Sequence, residues 1–156
     1  MFNLFQTKAK SADIKRIAES LANVIKKDDI LLLNGDLGSG KTTFARHFIN
    51  QIYIKNALKI PRVVSSPTFP ILIIYELKKY NVYHYDLYRL KNINELQEIE
   101  IFENFKQNIS LIEWPDILLK TNILKEYYLI NFNLNTKHIN EIKIEHTNKK
   151  KLIIWR

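Results

Sequence analysis

All three glycines of this 156-residue chain fall within one six-residue stretch of the segment Gly35-Asp36-Leu37-Gly38-Ser39-Gly40-Lys41-Thr42. The segment fits the pattern G-x-x-x-x-G-K-[ST] at every fixed position. It constrains the fold more than any other feature. Glycines accept positive φ and let backbone N–H groups close around a phosphate. A strand must deliver such a loop and a helix must leave it, with the helix's positive end aimed at the same anion. Both flanks agree. Residues 30–33 are an unbroken apolar run, as in a strand buried on both faces. Residues 41–53 read as a helix with Phe44, Phe48, Ile49 and Ile52 on one side. In this cradle Lys41 is placed to reach the β and γ phosphates and the Thr42 hydroxyl to bind Mg²⁺. The nucleotide-binding candidates are therefore Gly35, Asp36, Leu37, Gly38, Ser39, Gly40, Lys41, Thr42 and Thr43.

The remaining pattern predicts one α/β domain over 1–156, a P-loop NTPase-like mixed β-sheet flanked by helices. Ser11 is a candidate cap for a helix over 11–26, with Asp13 in its first turn and Ile14, Ile17, Ala18, Leu21, Ala22 and Ile25 on one face. A proline-punctuated loop over 61–70 precedes strands over 71–77 and 82–88, which form a hairpin. A helix follows over 93–105, then a short buried strand over 109–112 and a helix over 117–124. Alternation over 127–134 and 141–145 predicts an antiparallel pair, and 151–155 a last strand.

Composition sets the wider limits. The absence of cysteine excludes a disulfide framework or thiolate metal site and fits a reducing cytoplasm. No apolar run is long enough to span a bilayer. The first ten residues lack the basic-then-apolar order of a signal peptide, so a soluble cytoplasmic protein is expected, with no membrane partner. The formal charge of +8 favours polyanions. Lysine carries most of it and the bidentate arginine is scarce, so the charge reads as composition more than as a phosphate clamp. The run Lys149-Lys150-Lys151 reads as a solvated loop.

A P-loop site needs an acid at a strand end for Mg²⁺ and a group that orients the attacking water. Two residues qualify, Asp86 after Val82-Tyr83-His84-Tyr85 and Glu113 after Leu111-Ile112, and position alone does not divide the roles between them. Thr68, in Ser65-Ser66-Pro67-Thr68-Phe69, stands where P-loop switches place a hydroxyl; a plain proline turn is the alternative. Trp114 reads equally as a cover for the nucleotide or a core residue. His84 reads more readily as a packed strand histidine than as a ligand.

Several P-loop classes are disfavoured. Asn148-Lys149-Lys150-Lys151 lacks the aspartate of a guanine-reading Asn-Lys-x-Asp motif, and no glycine remains for an ABC-type signature. The five arginines do not cluster into a kinase lid.

Taken in order, Gly35 to Thr43, Ser66-Pro67-Thr68-Phe69, His84-Tyr85-Asp86-Leu87-Tyr88-Arg89-Leu90 and Glu113-Trp114-Pro115 resemble the TsaE (YjeE) family of tRNA threonylcarbamoyladenosine biosynthesis ATPases. The resemblance spans 30–115. It implies ATP as substrate with Mg²⁺, slow hydrolysis stimulated by partners, and work with the TsaB and TsaD proteins on the adenosine next to the anticodon, with tRNA reached indirectly through that complex. By motif it implies Lys41 on phosphates, Thr42 and Glu113 at Mg²⁺, Asp86 as the second essential acid, Trp114 beside the nucleotide, and Ser66 and Thr68 in a switch-like loop. Two features depart from the pattern. Pro70 follows Phe69, where a small polar residue is expected. The C-terminal part lacks a Gly-Arg pair before its penultimate strand, with Lys137 and His138 the candidates to stand in. A small-molecule kinase and a nucleotide-gated binding module without catalysis are the competing readings.

Overall fold

The computed structural model describes residues 1–134 and 140–151. Lys137, His138 and all but the first residue of the strand expected over 151–155 lie outside them. The elements in chain order are β1 (Phe2–Ala9), α1 (Ser11–Val24), β2 (Ile30–Gly35), α2 (Lys41–Lys55), β3 (Leu72–Glu76), β4 (Asn81–Asp86), α3 (Ile93–Glu98), α4 (Ile101–Asn104), β5 (Ile109–Glu113), α5 (Asp116–Leu119), β6 (Tyr128–Leu134) and β7 (Asn140–His146). The strands form one mixed seven-stranded sheet in the order β1-β7-β6-β2-β5-β4-β3. Its centre is parallel, with β2 between β6 and β5 and β4 beyond β5. The edges are antiparallel: β3 on β4 at one side, and β7 on β6 with β1 on β7 at the other.

Alternation along the central strands fills a core on each face. From β2, Leu31 and Leu33 join the side chains of α1 and α2, Phe44, Phe48 and Leu21 among them. Ile30 and Leu32 face the other way, onto Tyr85, Leu96, Ile101 and Leu118 from β4, α3, α4 and α5. The continuous apolar run of β2 therefore reflects a strand covered twice.

The register places the site. Glu113 pairs with Leu33 on one side and with Asp86 on the other, so the ends of three parallel strands lie level just before the glycine loop. Glu113 and Asp86 share sheet faces with Leu111 and Val82, whose side chains pack in the core on the α2 side. Both carboxylates thus turn toward the start of α2.

One element was not anticipated and three expectations are corrected. Residues 1–10 contain a strand, β1, which pairs along β7. The N-cap of α1 is Lys10 rather than Ser11; its backbone N–H donates to the Asp13 carboxylate at 2.9 Å. The helix expected over 93–105 is two helices, because Glu100 adopts a left-handed φ of 51° between them. The helix expected over 117–124 is the single turn α5. Among the described residues no helix is long and apolar enough to cross a membrane.

Candidate nucleotide site

The loop between β2 and α2 bends as its glycines require. Gly35 has φ +148°, and a Cβ there would lie 2.4 Å from the Phe132 carbonyl oxygen on β6. Gly38 has φ +74° with open space around it, and Gly40, at φ 105°, is the N-cap of α2. Side chains at these positions would strain the backbone, and at Gly35 would also push β2 from β6.

Lys41 opens α2. Its ammonium donates to the Gly35 carbonyl at 2.6 Å and to the Asp36 carbonyl at 2.9 Å, and lies 3.9 Å above the Trp114 ring centroid. An ammonium has three donors, so one remains for a ligand even in this position. Burial lowers its pKa from the ordinary lysine value, against the pull of Glu113, Asp86 and Asp36. The Thr42 hydroxyl donates to Glu113 Oε2 at 3.1 Å. The other carboxylate oxygen, Oε1, lies 2.9 Å from His84 Nε2. A carboxylate only accepts, so Nε2 carries the proton. Glu113 and His84 are both buried, at 2% and 0% exposure.

Asp86 is bonded differently. Its Oδ2 accepts from Thr68 Oγ1 at 2.6 Å and Ser66 Oγ at 3.1 Å, and its Oδ1 from the Tyr88 N–H at 3.0 Å. The two hydroxyls are 2.8 Å apart. Asp86 therefore ties the 66–68 loop to the end of β4. Pro70 sits in a turn closed by the Ile71 N–H on the Pro67 carbonyl, with Ile71 at φ 64°. Phe69 projects into solvent with the Arg89 guanidinium 5.6 Å from its ring. Trp114, itself at φ 57°, donates its backbone N–H to the Leu33 carbonyl and packs its ring 4.8 Å from that of Tyr88.

These residues enclose one cavity of about 260 Å³, lined by Leu37, Gly38, Gly40, Lys41, Thr42, Thr43, Ser66, Thr68, Asp86, Tyr88, Glu113 and Trp114. Four segments far apart in sequence meet there. Gly35, Asp36 and Ser39 are not part of the lining: Gly35 and the exposed Asp36 supply the carbonyls that hold Lys41, and Ser39 is fully buried. His84 is the packed strand histidine that the pattern favours, and it also donates to Glu113; Tyr88 is a participant for which the sequence carries no expectation. His84 precedes Asp86 by two residues, and that spacing puts both on one face of β4; this was the available signal. Tyr88 contributes a backbone N–H and a ring, which no side-chain pattern announces.

Thr42 and Glu113 converge with one hydroxyl and one carboxylate oxygen, hard oxygen donors that suit Mg²⁺. Among the described residues no three His, Cys, Asp or Glu gather as a metal cage. A cation that keeps its waters and shares a substrate's phosphates needs no such cage.

A strand, a glycine loop bent at three positive-φ positions and a helix opening with Lys-Thr, set in a mixed parallel-centred sheet, define a P-loop NTPase fold. The fold superposes on the crystal structure of Bacillus subtilis YdiB with a TM-score of 0.72 at 26% identity, covering 99% of this chain and 93% of that one. Residues 8–151 match the family described as threonylcarbamoyl adenosine biosynthesis protein TsaE, and the chain belongs to that family. Its relatives include the tRNA threonylcarbamoyladenosine biosynthesis protein TsaE of Rickettsia prowazekii, 44% identical over 106 residues, 68% of this chain and 70% of that protein. The TsaE of Aquifex aeolicus is 33% identical over 120 residues, 73% of this chain and 83% of that protein.

Proposed function

We propose that this chain hydrolyses ATP with Mg²⁺ in the threonylcarbamoyladenosine modification of tRNA, and that its cycle drives or resets a complex of TsaB and TsaD. The family supports the pathway. One observation carries the chemistry: beside Lys41, the Thr42 hydroxyl meets the Glu113 carboxylate at 3.1 Å in the cavity at the head of α2. Thr42 and Glu113 are the residues that hold Mg²⁺, which when bound neutralises charge on the β and γ phosphates. Lys41 exchanges one or both backbone carbonyls for phosphate oxygens, and the loop N–H groups orient the phosphate tail. Ser66 and Thr68, held by Asp86, stand where the terminal phosphate is sensed, so Asp86 links nucleotide state to the 66–69 loop and its exposed Phe69. Location in the cytoplasm accords with the tRNA substrate.

The test is ATP turnover by the purified chain, alone and with TsaB and TsaD. Turnover rises with the partners and disappears in Lys41→Ala. Turnover indifferent to both changes refutes the reading. Phosphate transfer to a small metabolite without partners would make the chain a kinase instead. A nucleotide-dependent complex with hydrolysis at background would make it a binding module.

A further inference from the structure

The sheet's polarity separates two ends of the molecule. The C-terminal ends of β2, β5 and β4 carry the nucleotide cavity. The opposite end collects the segments entering β2, β4, β5 and β6 and the one leaving β7, and lysines from all five meet there. Lys26 and Lys27 precede β2; Lys78 and Lys79 form the β3–β4 turn; Lys106 precedes β5; Lys125 precedes β6; Lys149 and Lys150 follow β7. All eight are exposed.

Hydrogen bonds join these segments side by side. Thr147 N–H on the Tyr127 carbonyl ties the lysines after β7 to Lys125. Lys151 Nζ on Asp29 at 2.9 Å ties them to Lys26 and Lys27. Asp28 N–H on the Asn108 carbonyl at 2.7 Å brings in Lys106, and Asn81 N–H on Asn108 Oδ1 at 3.0 Å brings in Lys78 and Lys79. With neighbouring strands about 4.8 Å apart, the five steps from β7 to β3 make a strip on the order of 24 Å long.

Three acids of this end are engaged internally, while Glu76 and Glu103 are exposed beside Lys78 and Lys106. Asp28 accepts from the Gln107 N–H, Asp29 from the Lys26 N–H and Lys151, and Glu126 from the Asn148 amide. Among the described residues none of the eight exposed ammonium groups is in an ion pair.

We propose that this strip is a tRNA-binding surface that contacts the phosphate backbone directly, at the end of the sheet remote from the nucleotide. The proposal rests on the tRNA-modification reading for the identity of the polyanion. Lysine ammoniums on exposed loops suit phosphate contact without base reading. Along the chain these lysines lie singly, in pairs and in one run of three; the register assembles them.

The test is anisotropy of a labelled tRNA transcript titrated with the full chain between 50 and 200 mM KCl, values set by the usual range for counterion release. The triple variant Lys27→Glu, Lys79→Glu, Lys149→Glu is expected to bind at least tenfold more weakly. Its salt slope should be shallower by about 0.7–0.9 for each phosphate that is no longer neutralised. A charge-matched control, Lys8→Glu, Lys10→Glu, Lys15→Glu on and beside β1 and α1, keeps most of the affinity. Unchanged binding of a fluorescent ADP analogue shows that the strip variant is folded, and the matching Lys→Gln triple repeats the comparison without charge reversal. Equal loss in both triples overturns the proposal, since net charge alone would then explain binding. So does wild-type protein that fails to bind tRNA at the lowest salt, or that binds vesicles containing anionic phospholipid and not tRNA. Failure of the functional reading is recorded separately, by modification of tRNA that persists with Lys41→Ala while strip-dependent binding remains.

Discussion

Replacing His84 with leucine isolates what the buried histidine does for Glu113. The carboxylate has two bonded oxygens, one facing Thr42 at 3.1 Å and one facing His84 Nε2 at 2.9 Å. Leucine fills much of the ring's volume and supplies no donor, so Oε1 is left in a site where Glu113 is 2% exposed. A hydrogen bond to a charged group contributes roughly 1.5–3 kcal/mol, and stripping a fully buried ion of its partner costs roughly 3–5 kcal/mol. Glu113 borders the cavity and keeps Thr42, so the lower range applies, about 2 kcal/mol. For a chain of this size that is a Tm fall of about 4–8 °C. Urea unfolding of the wild type, His84→Leu, Glu113→Gln and the double variant measures the coupling directly. The two single changes should be non-additive by about 1 kcal/mol or more, because a neutral amide loses less when the donor goes. A second readout separates positioning from simple stability. In a Trp155→Phe background, Trp114 fluorescence should report a Mg²⁺-dependent nucleotide affinity weakened about tenfold, with metal-free binding little changed. Additive single variants, or a His84→Leu protein that binds Mg²⁺-nucleotide like the wild type, would refute the positioning role.

The two loop glycines should respond unequally. Gly35→Ala meets both its φ of +148° and a backbone oxygen 2.4 Å away, so it should lose about 3 kcal/mol in urea unfolding, whereas Gly38→Ala, with open space, should lose about 1 kcal/mol; equal losses would contradict the geometry. Lys55 donates to the Ala22, Asn23 and Ile25 carbonyls at 3.2, 2.9 and 2.9 Å, which caps the C-terminal end of α1 from α2. Lys55→Ala should cost about 1 kcal/mol and leave nucleotide affinity unchanged, checked by unfolding and by titration of a fluorescent ADP analogue. Lys41 gives a pH signature. Its folded pKa lies below the ordinary value of 10.5, so between the two the unfolded chain holds more protons and apo stability rises with pH. Nucleotide affinity needs the ammonium and should fall across the same window; Lys41→Met removes this contribution to both trends, and wild-type trends that persist in it would assign them elsewhere.

The centre of the fold was legible because its signals are local. An apolar run between Asp29 and the glycine loop has one reading in an α/β chain, and β2 and α2 occur where the pattern put them. The hairpin of β3 with β4 follows from apolar runs on either side of a polar turn, and the pair β6 with β7 from alternation. The misses have physical causes. β1 is an edge strand in which only Ala9 is buried, so it carries little hydrophobic signal, and it is fixed by its long-range ladder with β7. The break at Glu100 interrupts a stretch whose apolar spacing is helical on both sides; φ there is set by how α3 and α4 pack on Tyr85 and Ile112, which no propensity for glutamate encodes.

The site divides along the same line. A phosphate loop is a contiguous object, so its residues could be named one by one. The division of labour between Asp86 and Glu113 could not, because both are acids at the ends of adjacent strands and their registers are equal. What distinguishes them is who reaches each carboxylate. Thr42 and His84 approach Glu113 from α2 and β4, while Ser66, Thr68 and the Tyr88 N–H take up Asp86. On the function proposed above, that contrast puts the metal side at Glu113 and the loop tether at Asp86. It also gives His84 a reason to be a histidine: two positions before Asp86 on the same face of β4, its side chain donates across the strands to Glu113. If the tether is Asp86's task, Asp86→Asn should retain Mg²⁺-dependent nucleotide binding and lose partner-stimulated turnover, while Glu113→Gln should weaken the Mg²⁺ dependence itself. Isothermal titration with and without Mg²⁺, set beside turnover with TsaB and TsaD, reads both. The opposite pattern would exchange the two roles and remove the structural argument for a switch in the 66–69 loop.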